Sequence, residues 1–160
     1  MSQEKTKEAA LVAFKRYLKD NGMRQTPERF AILDVIFDFS GHFSLQALHD
    51  SLESAGYHVS RSTMFNTITL LISAGLVRKH TFATESPCYE RIAGVSHHHH
   101  LICTTCGKIR EIKDARLDEI LRGKRYGKFY PSQIDINIYG LCAACLRQSR
   151  KSTRKSSNKL

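Results

Sequence analysis

The chain has 160 residues and a formal net charge of +10, from 25 Lys/Arg against 15 Asp/Glu. That length admits one average domain or two small ones, and the charge favours a polyanionic partner. No stretch approaches the roughly 18–20 apolar residues of a membrane span. The opening MSQEKTKEAALVAF has no signal-peptide core, so a cytoplasmic setting with reduced thiols is expected.

Residues 4–20 carry Ala10, Phe14, Tyr17 and Leu18 at helical spacing, and Asn21-Gly22 predicts the stop. A second helix is expected from Thr26-Pro27, a good cap and first-turn pair, with Phe30, Leu33, Ile36 and Phe37 as its stripe and Ser40-Gly41 as its end. Ser44 should cap a third helix whose buried side is Leu45, Leu48, Leu52 and Ala55. Ser60 or Ser62 should cap a fourth, with Met64, Ile68, Leu71 and Ile72 inward, ending at Ala74-Gly75. LVRKHTF, a polar Pro-containing turn and CYERI then read as a hairpin. Helices followed by a hairpin is the winged-helix order, with residues 44–55 and 60–74 as its helix-turn-helix.

A second unit is expected beyond a hinge at 85–96, so that 1–84 form the first domain and 97–146 the second. HHHHLICTTCGKIREI reads as strand, knuckle, strand; residues 114–122 as a short helix; residues 132–139 as a half-buried strand alternating Ile134, Ile136 and Ile138 with polar residues. From Arg147 to Leu160 there are six Lys/Arg and no acid, with almost nothing apolar. Such a segment is expected to be disordered, either a solubilising tail or one drawn to phosphate. The fold class is therefore α+β, a winged helix plus a smaller α/β domain.

Cys103 and Cys106 form one C-x-x-C and Cys142 and Cys145 another. Two-residue spacing sets both sulfurs on one side of a tight turn, and Gly107 lets the chain fold beneath them. Four thiolates leave no open position, which points to a structural ion, best Zn²⁺; a disulfide or an iron–sulfur type site are the alternatives. Cys88 stands apart as a small packing residue or a redox group.

His97 to His100 are consecutive. On a strand, His98 and His100 face one way and His97 and His99 the other, so two separate metal sites could be seeded; solvated surface histidines or a tag are the plain readings. Imidazole with carboxylate suits Fe²⁺, Zn²⁺, Mn²⁺ or Ni²⁺, and Glu90, Glu111 and Asp118 are the candidate carboxylates.

Taken in order, GMRQTPERFAIL, GHFS, SRSTMFNTITLLISAGLV, the His run, CTTCGK and IYGLCAAC resemble the ferric uptake regulator family over roughly residues 20–146. The resemblance implies a homodimeric, metal-dependent repressor of double-stranded DNA, its dimer held by the C-terminal domain. Cys103, Cys106, Cys142 and Cys145 would hold structural zinc. His42, Glu90, His98, His100 and Glu111 would hold a regulatory ion, Fe²⁺, Zn²⁺ or Mn²⁺, that fixes a DNA-competent arrangement. His97, His99 and Asp118 match three ligands of a further site, but Ile134 stands where a histidine is usual, so that site is weakened or absent. Arg24, Arg61, Ser62, Thr63, Phe65, Asn66, Arg78 and Lys79 are the candidate DNA contacts. The recognition helix has Met64-Phe65-Asn66 where the family commonly has Val-Tyr-Arg, which predicts a different operator. Phe65 is readable either as a thymine-methyl contact or as core, since Ile68 and Ile72 share its spacing.

An enzyme is not expected. Zinc deaminases pair H-x-E with P-C-x-x-C, whereas Pro87-Cys88 is followed by Tyr89-Glu90-Arg91 and no H-x-E occurs. Two rivals remain: a regulator of the same fold that senses haem, peroxide or nothing, and a zinc-ribbon RNA-binding or protein-interaction module.

Overall fold

The computed structural model describes residues 3–82, 87–96, 98–131 and 134–156, the last six as backbone only. The chain divides into two compact units, Met1–Thr81 with Glu85–Val95, and Phe82–Thr84 with Ser96–Leu160.

The first unit holds α1 (Gln3–Asp20), α2 (Pro27–Ile36), α3 (Leu45–Ser54), α4 (Arg61–Ser73), β1 (Val77–His80) and β2 (Cys88–Arg91). Ala10, Phe14 and Leu18 of α1 are buried at the expected spacing. Helix α2 buries a face wider than the expected stripe, adding Ala31, Ile32 and Val35 to Leu33, Ile36 and Phe37, and leaves Pro27, Asp34 and Asp38 on its open side. It also ends earlier than Ser40-Gly41: Phe37, Asp38 and Phe39 donate to carbonyls three residues back, and this tightening finishes the helix from within. Ser44 accepts from the Ala47 N–H at 3.0 Å, and Ser60 (not Ser62) accepts from the Thr63 N–H at 3.1 Å. Gly75, at φ +69°, closes α4: its N–H reaches the Ile72 carbonyl and that of Leu76 reaches Leu71, a geometry that needs the left-handed residue glycine tolerates.

β1 and β2 pair antiparallel, with Val77 opposite Arg91 and His80 opposite Cys88. Phe43 adds a bridge to Tyr89, each N–H donating to the other's carbonyl at 2.8 Å. The wing is thus sewn to the loop before α3. β2 lies inside the span 85–96 expected to be a hinge. It pairs with β1 and belongs to the first unit, and the chain enters the second at Ser96.

The second unit has β3 (His99–Cys103), β4 (Ile109–Ile112), α5 (Ala115–Gly123), β5 (Asn137–Gly140) and α6 (Ala143–Ser156). The sheet order is β4-β3-β5, β4 antiparallel and β5 parallel to β3. Asp114 caps α5 by accepting from the Arg116 and Leu117 N–H groups. The tail expected to be disordered continues α6 as far as Ser156. Its first turn, held by Cys142 through the Leu146 N–H at 2.9 Å, supplies the nucleus, and Ala, Arg, Gln and Lys are good helix formers that propagate it.

Ile138 was expected to be half-buried, yet it is 46% exposed, as β5 is an edge strand. Among the described residues this unit buries only Phe82, Ile102, Cys103 and Cys145 of its apolar side chains. Ile120, Phe129, Tyr130, Tyr139 and Leu141 are exposed beside Ile138. A core this thin needs an ion, a partner surface or both. No helix among the described residues is long and apolar enough to cross a membrane.

Candidate metal centres and nucleic-acid interface

The four cysteines converge. β3 ends at Cys103, whose N–H donates to the Lys108 carbonyl, and the Gly107 N–H returns to Cys103 at 2.9 Å, closing the knuckle. Parallel register sets Gly140 beside Cys103, so the chain leaving β5 carries Cys142 to the same place; the Cys142 N–H donates to Cys103 Sγ at 3.3 Å. Cys145 arrives within the first turn of α6. All four Sγ atoms lie within 4.8 Å of one another, and Cys106 and Cys142 are 3.8 Å apart. A tetrahedral Zn²⁺ with bonds of about 2.3 Å has sulfur–sulfur edges of about 3.8 Å.

The electrostatics favour the same conclusion. Backbone N–H groups of Cys142, Cys106 and Thr105 directed at Cys103 pull its thiol down to about 6, and the Cys145 N–H lowers Cys142. Cys145 is pushed up to about 12, its proton held by hydrogen bonding to Cys142 and Cys106. Backbone donors therefore cannot keep four thiolates together unaided. A divalent cation can, and the donor set fits one.

The histidines separate by face, as strand alternation requires. His99 is fully buried, its Nε2 3.0 Å from Asp118 Oδ1 of α5. His97 lies outside the described residues. Ile134 is described and half-buried, and its aliphatic side chain cannot ligate. On the other face the His98 and His100 rings stand 4.9 Å apart at 81°. His98 Nδ1 lies 2.9 Å from the Ser96 carbonyl and His100 Nδ1 3.1 Å from Asn137 Oδ1. A proton held on Nδ1 by these acceptors puts the ligating lone pair of each ring on Nε2. Exposed Glu111 is the ladder partner of His100, so their side chains share that face.

In the first unit Glu90 gathers two imidazoles. His80 Nε2 is 3.2 Å and His42 Nε2 3.8 Å from Glu90 Oε2. The Phe43–Tyr89 bridge brings His42 there. His80, at the end of β1, was absent from the sequence expectation. Its only signal was hairpin register, which sets it diagonal to Glu90.

On α4, Arg61, Ser62, Phe65 and Asn66 are exposed while Met64, Thr67, Ile68 and Leu71 are buried. Phe65 is 55% exposed, which decides against the core reading. Thr63 is half-buried and its hydroxyl accepts from Ser60 Oγ; Ser62 shares the same cap, so both serve the helix start. Arg61 reaches Gln46 of α3 at 3.5 Å. Arg24 and Lys79 are exposed and Arg78 half-buried opposite Glu90.

Burial pushes the Cys88 thiol up to about 11, with Glu90 adding to the effect. At pH 7.5 the thiolate fraction is then on the order of 0.1% or less. Iodoacetamide should label Cys88 on the order of a hundredfold more slowly than a free cysteine peptide, read by mass spectrometry. Comparable rates would restore a redox role.

The sequence profile of the Ferric uptake regulator family matches residues 20–139. The Ferric uptake regulation protein of Synechococcus elongatus is 32% identical over 141 residues, covering 84% of this chain and 94% of that protein. The Peroxide operon regulator of Bacillus subtilis is 30% identical over 132 residues, covering 82% and 90%. Among solved structures, the ferric uptake regulator of Vibrio cholerae superposes with a TM-score of 0.60 at 28% identity over 79% of this chain and 98% of that one. That of Helicobacter pylori gives 0.74 at 23% identity over 91% and 97%, a likeness of fold.

Proposed function

Since the chain belongs to the ferric uptake regulator family, we propose that it is a metal-responsive repressor that reads a two-fold symmetric operator as a homodimer. Membership makes it a transcriptional regulator and not an enzyme. The finer reading leans most on one observation: a large aromatic, Phe65, stands open to solvent beside Asn66 at the capped start of the second helix of a helix-turn-helix. The unit's own core does not use that side chain, so its apolar ring has room for a partner. A base stack offers one, because Phe65 can meet a thymine methyl and Asn66 can bond adenine twice.

In this reading Zn²⁺ fills the four-cysteine cluster. A regulatory Fe²⁺, Zn²⁺ or Mn²⁺ is taken by His42 and Glu90 of the first unit with His98, His100 and Glu111 of the second, the set the sequence resemblance implies. Neither unit's own set would complete an octahedral shell, which is how an ion's occupancy could bias DNA binding. His99, buried, and Asp118, half-buried, form a pair rather than a metal site, with Ile134 where another ligand would sit. Arg61, Arg24 and Lys79 would contact phosphate, and the exposed apolar residues of β5 and α5 would meet a second copy of the chain.

Selection from random duplexes, followed by binding assays across salt, tests the DNA half. Asn66→Ala is expected to lose about 1–3 kcal/mol of base discrimination at one half-site position while the salt slope stays unchanged. An unaltered consensus would remove α4 from the groove. A second reading, a peroxide signal in place of a metal signal, draws on the likeness to the Bacillus subtilis protein. Loss of operator binding on adding peroxide to the Fe²⁺-loaded but not the Mn²⁺-loaded chain would select it.

A further inference from the structure

We propose that His80 is a direct ligand of the regulatory ion, so that the winged-helix unit alone contributes three donors, His42, His80 and Glu90; this rests on the regulatory-metal reading above. The two imidazoles point the same kind of atom at one carboxylate oxygen: His80 Nε2 at 3.2 Å and His42 Nε2 at 3.8 Å from Glu90 Oε2. The rings stand 5.1 Å apart at 65°, and the three donor atoms lie within 4.8 Å of one another. Nitrogen and oxygen ligands about 2.0–2.2 Å from an ion are separated by about 3–3.6 Å in octahedral or tetrahedral shells. The His80–Glu90 distance already falls in that range and the His42–Glu90 distance is a few tenths of an ångström outside it. His80 stands within hydrogen-bond distance of Glu90 Oε2, whereas His42, at 3.8 Å, lies beyond hydrogen-bond reach of that atom. A cation among the three instead takes a lone pair from each.

The backbone explains why these donors are poised together. His80 ends β1, Glu90 lies on β2 diagonal to it, and the two-way Phe43–Tyr89 bridge carries His42 to the same spot. An ion held here would fasten the loop before α3 to both strands of the wing. It would therefore stiffen the DNA-reading unit internally, whatever the second unit adds.

The test uses the full chain with zinc retained in the cysteine cluster, under reductant, titrated with Co²⁺ against a competing chelator. His80→Gln keeps a hydrogen-bonding partner for Glu90 but offers only a weak amide ligand. It should weaken Co²⁺ binding at least tenfold and change the visible ligand-field bands, with zinc content and helical circular dichroism unchanged. His80→Cys should bind Co²⁺ with a new near-ultraviolet thiolate-to-cobalt charge-transfer band, absent from the unsubstituted chain. A residue that merely positions Glu90 cannot produce that band. Co²⁺ binding by His80→Cys with no such band, or unaltered ligand-field bands in His80→Gln, overturns the assignment of His80 alone. An unsubstituted chain that takes up no Co²⁺ beyond its zinc overturns the regulatory-metal reading beneath it as well.

Discussion

Cys103→Ala or Cys142→Ala is expected to cost the chain its zinc and to unfold residues 96–156 while α1–α4 and the wing remain folded. Structural zinc contributes on the order of 10 kcal/mol where the unfolded chain has no site, far more than this unit's four buried apolar residues can replace. The loss is larger than for an ordinary core truncation of about 2–5 kcal/mol, because Cys103 joins three elements: it ends β3, receives the Cys142 N–H and anchors the knuckle through Lys108. Elemental analysis with limited proteolysis checks this. The variant should retain less than one zinc per chain and be cut within 96–156 at protease levels that leave the parent intact. A zinc-free variant with parental resistance would show that the cluster is ornamental to the fold.

The second large effect concerns self-association. On the homodimer reading, Ile138→Asp should leave the chain monomeric and with it abolish tight operator binding. Ile138 is 46% exposed on an edge strand, with Tyr139, Leu141 and Ile120 exposed in the same unit. Fully burying such a side chain stabilises by about 1.5–3 kcal/mol, so covering the 46% still open is worth about 0.7–1.4 kcal/mol. In a two-fold interface each substitution occurs twice. The expected loss is therefore about 1.4–2.8 kcal/mol, roughly one to two decades in dimerisation constant, before the cost of desolvating an aspartate is added. Light scattering at micromolar concentration should report half the parental mass. Retention of the parental mass, with intact operator affinity, would place the partner surface elsewhere.

Much of this was legible in the sequence, because the strongest signals are local. Caps Ser44 and Ser60, the left-handed Gly75 and the two C-x-x-C pairs each announce themselves within a few residues, and each stands where spacing put it. What resisted reading depends on surroundings. The stripe assigned to α2 stands on the core but was drawn too narrow, since Ala31, Ile32 and Val35 widen the buried face beyond it. The tail's composition reads as disorder, whereas α6 runs through it as far as Ser156, because composition ignores the turn that starts at Cys142. The hairpin read from LVRKHTF and CYERI is present, so its second strand stands inside the span 85–96 set aside as a hinge, and only the pairing with β1 shows that the first unit runs on to Val95. His80 escaped for a related reason: its relation to Glu90 exists only in the hairpin's register. Phe65 was ambiguous at helical spacing, since neighbours on a helix share a periodicity whether or not they face the core; its exposure sets the core reading aside.

The claim that one further ion per chain governs DNA reading is met most directly by fluorescence anisotropy of a selected operator duplex. The zinc-retaining chain is titrated with Fe²⁺, Mn²⁺ and Zn²⁺ at fixed ionic strength, with bound metal counted in parallel. The account predicts at least a tenfold gain in operator affinity, a coupling of about 1.4 kcal/mol or more, that saturates at one added ion per chain and vanishes in His42→Ala and Glu90→Ala. Operator affinity that is the same with and without the added ion, for all three metals, would contradict it.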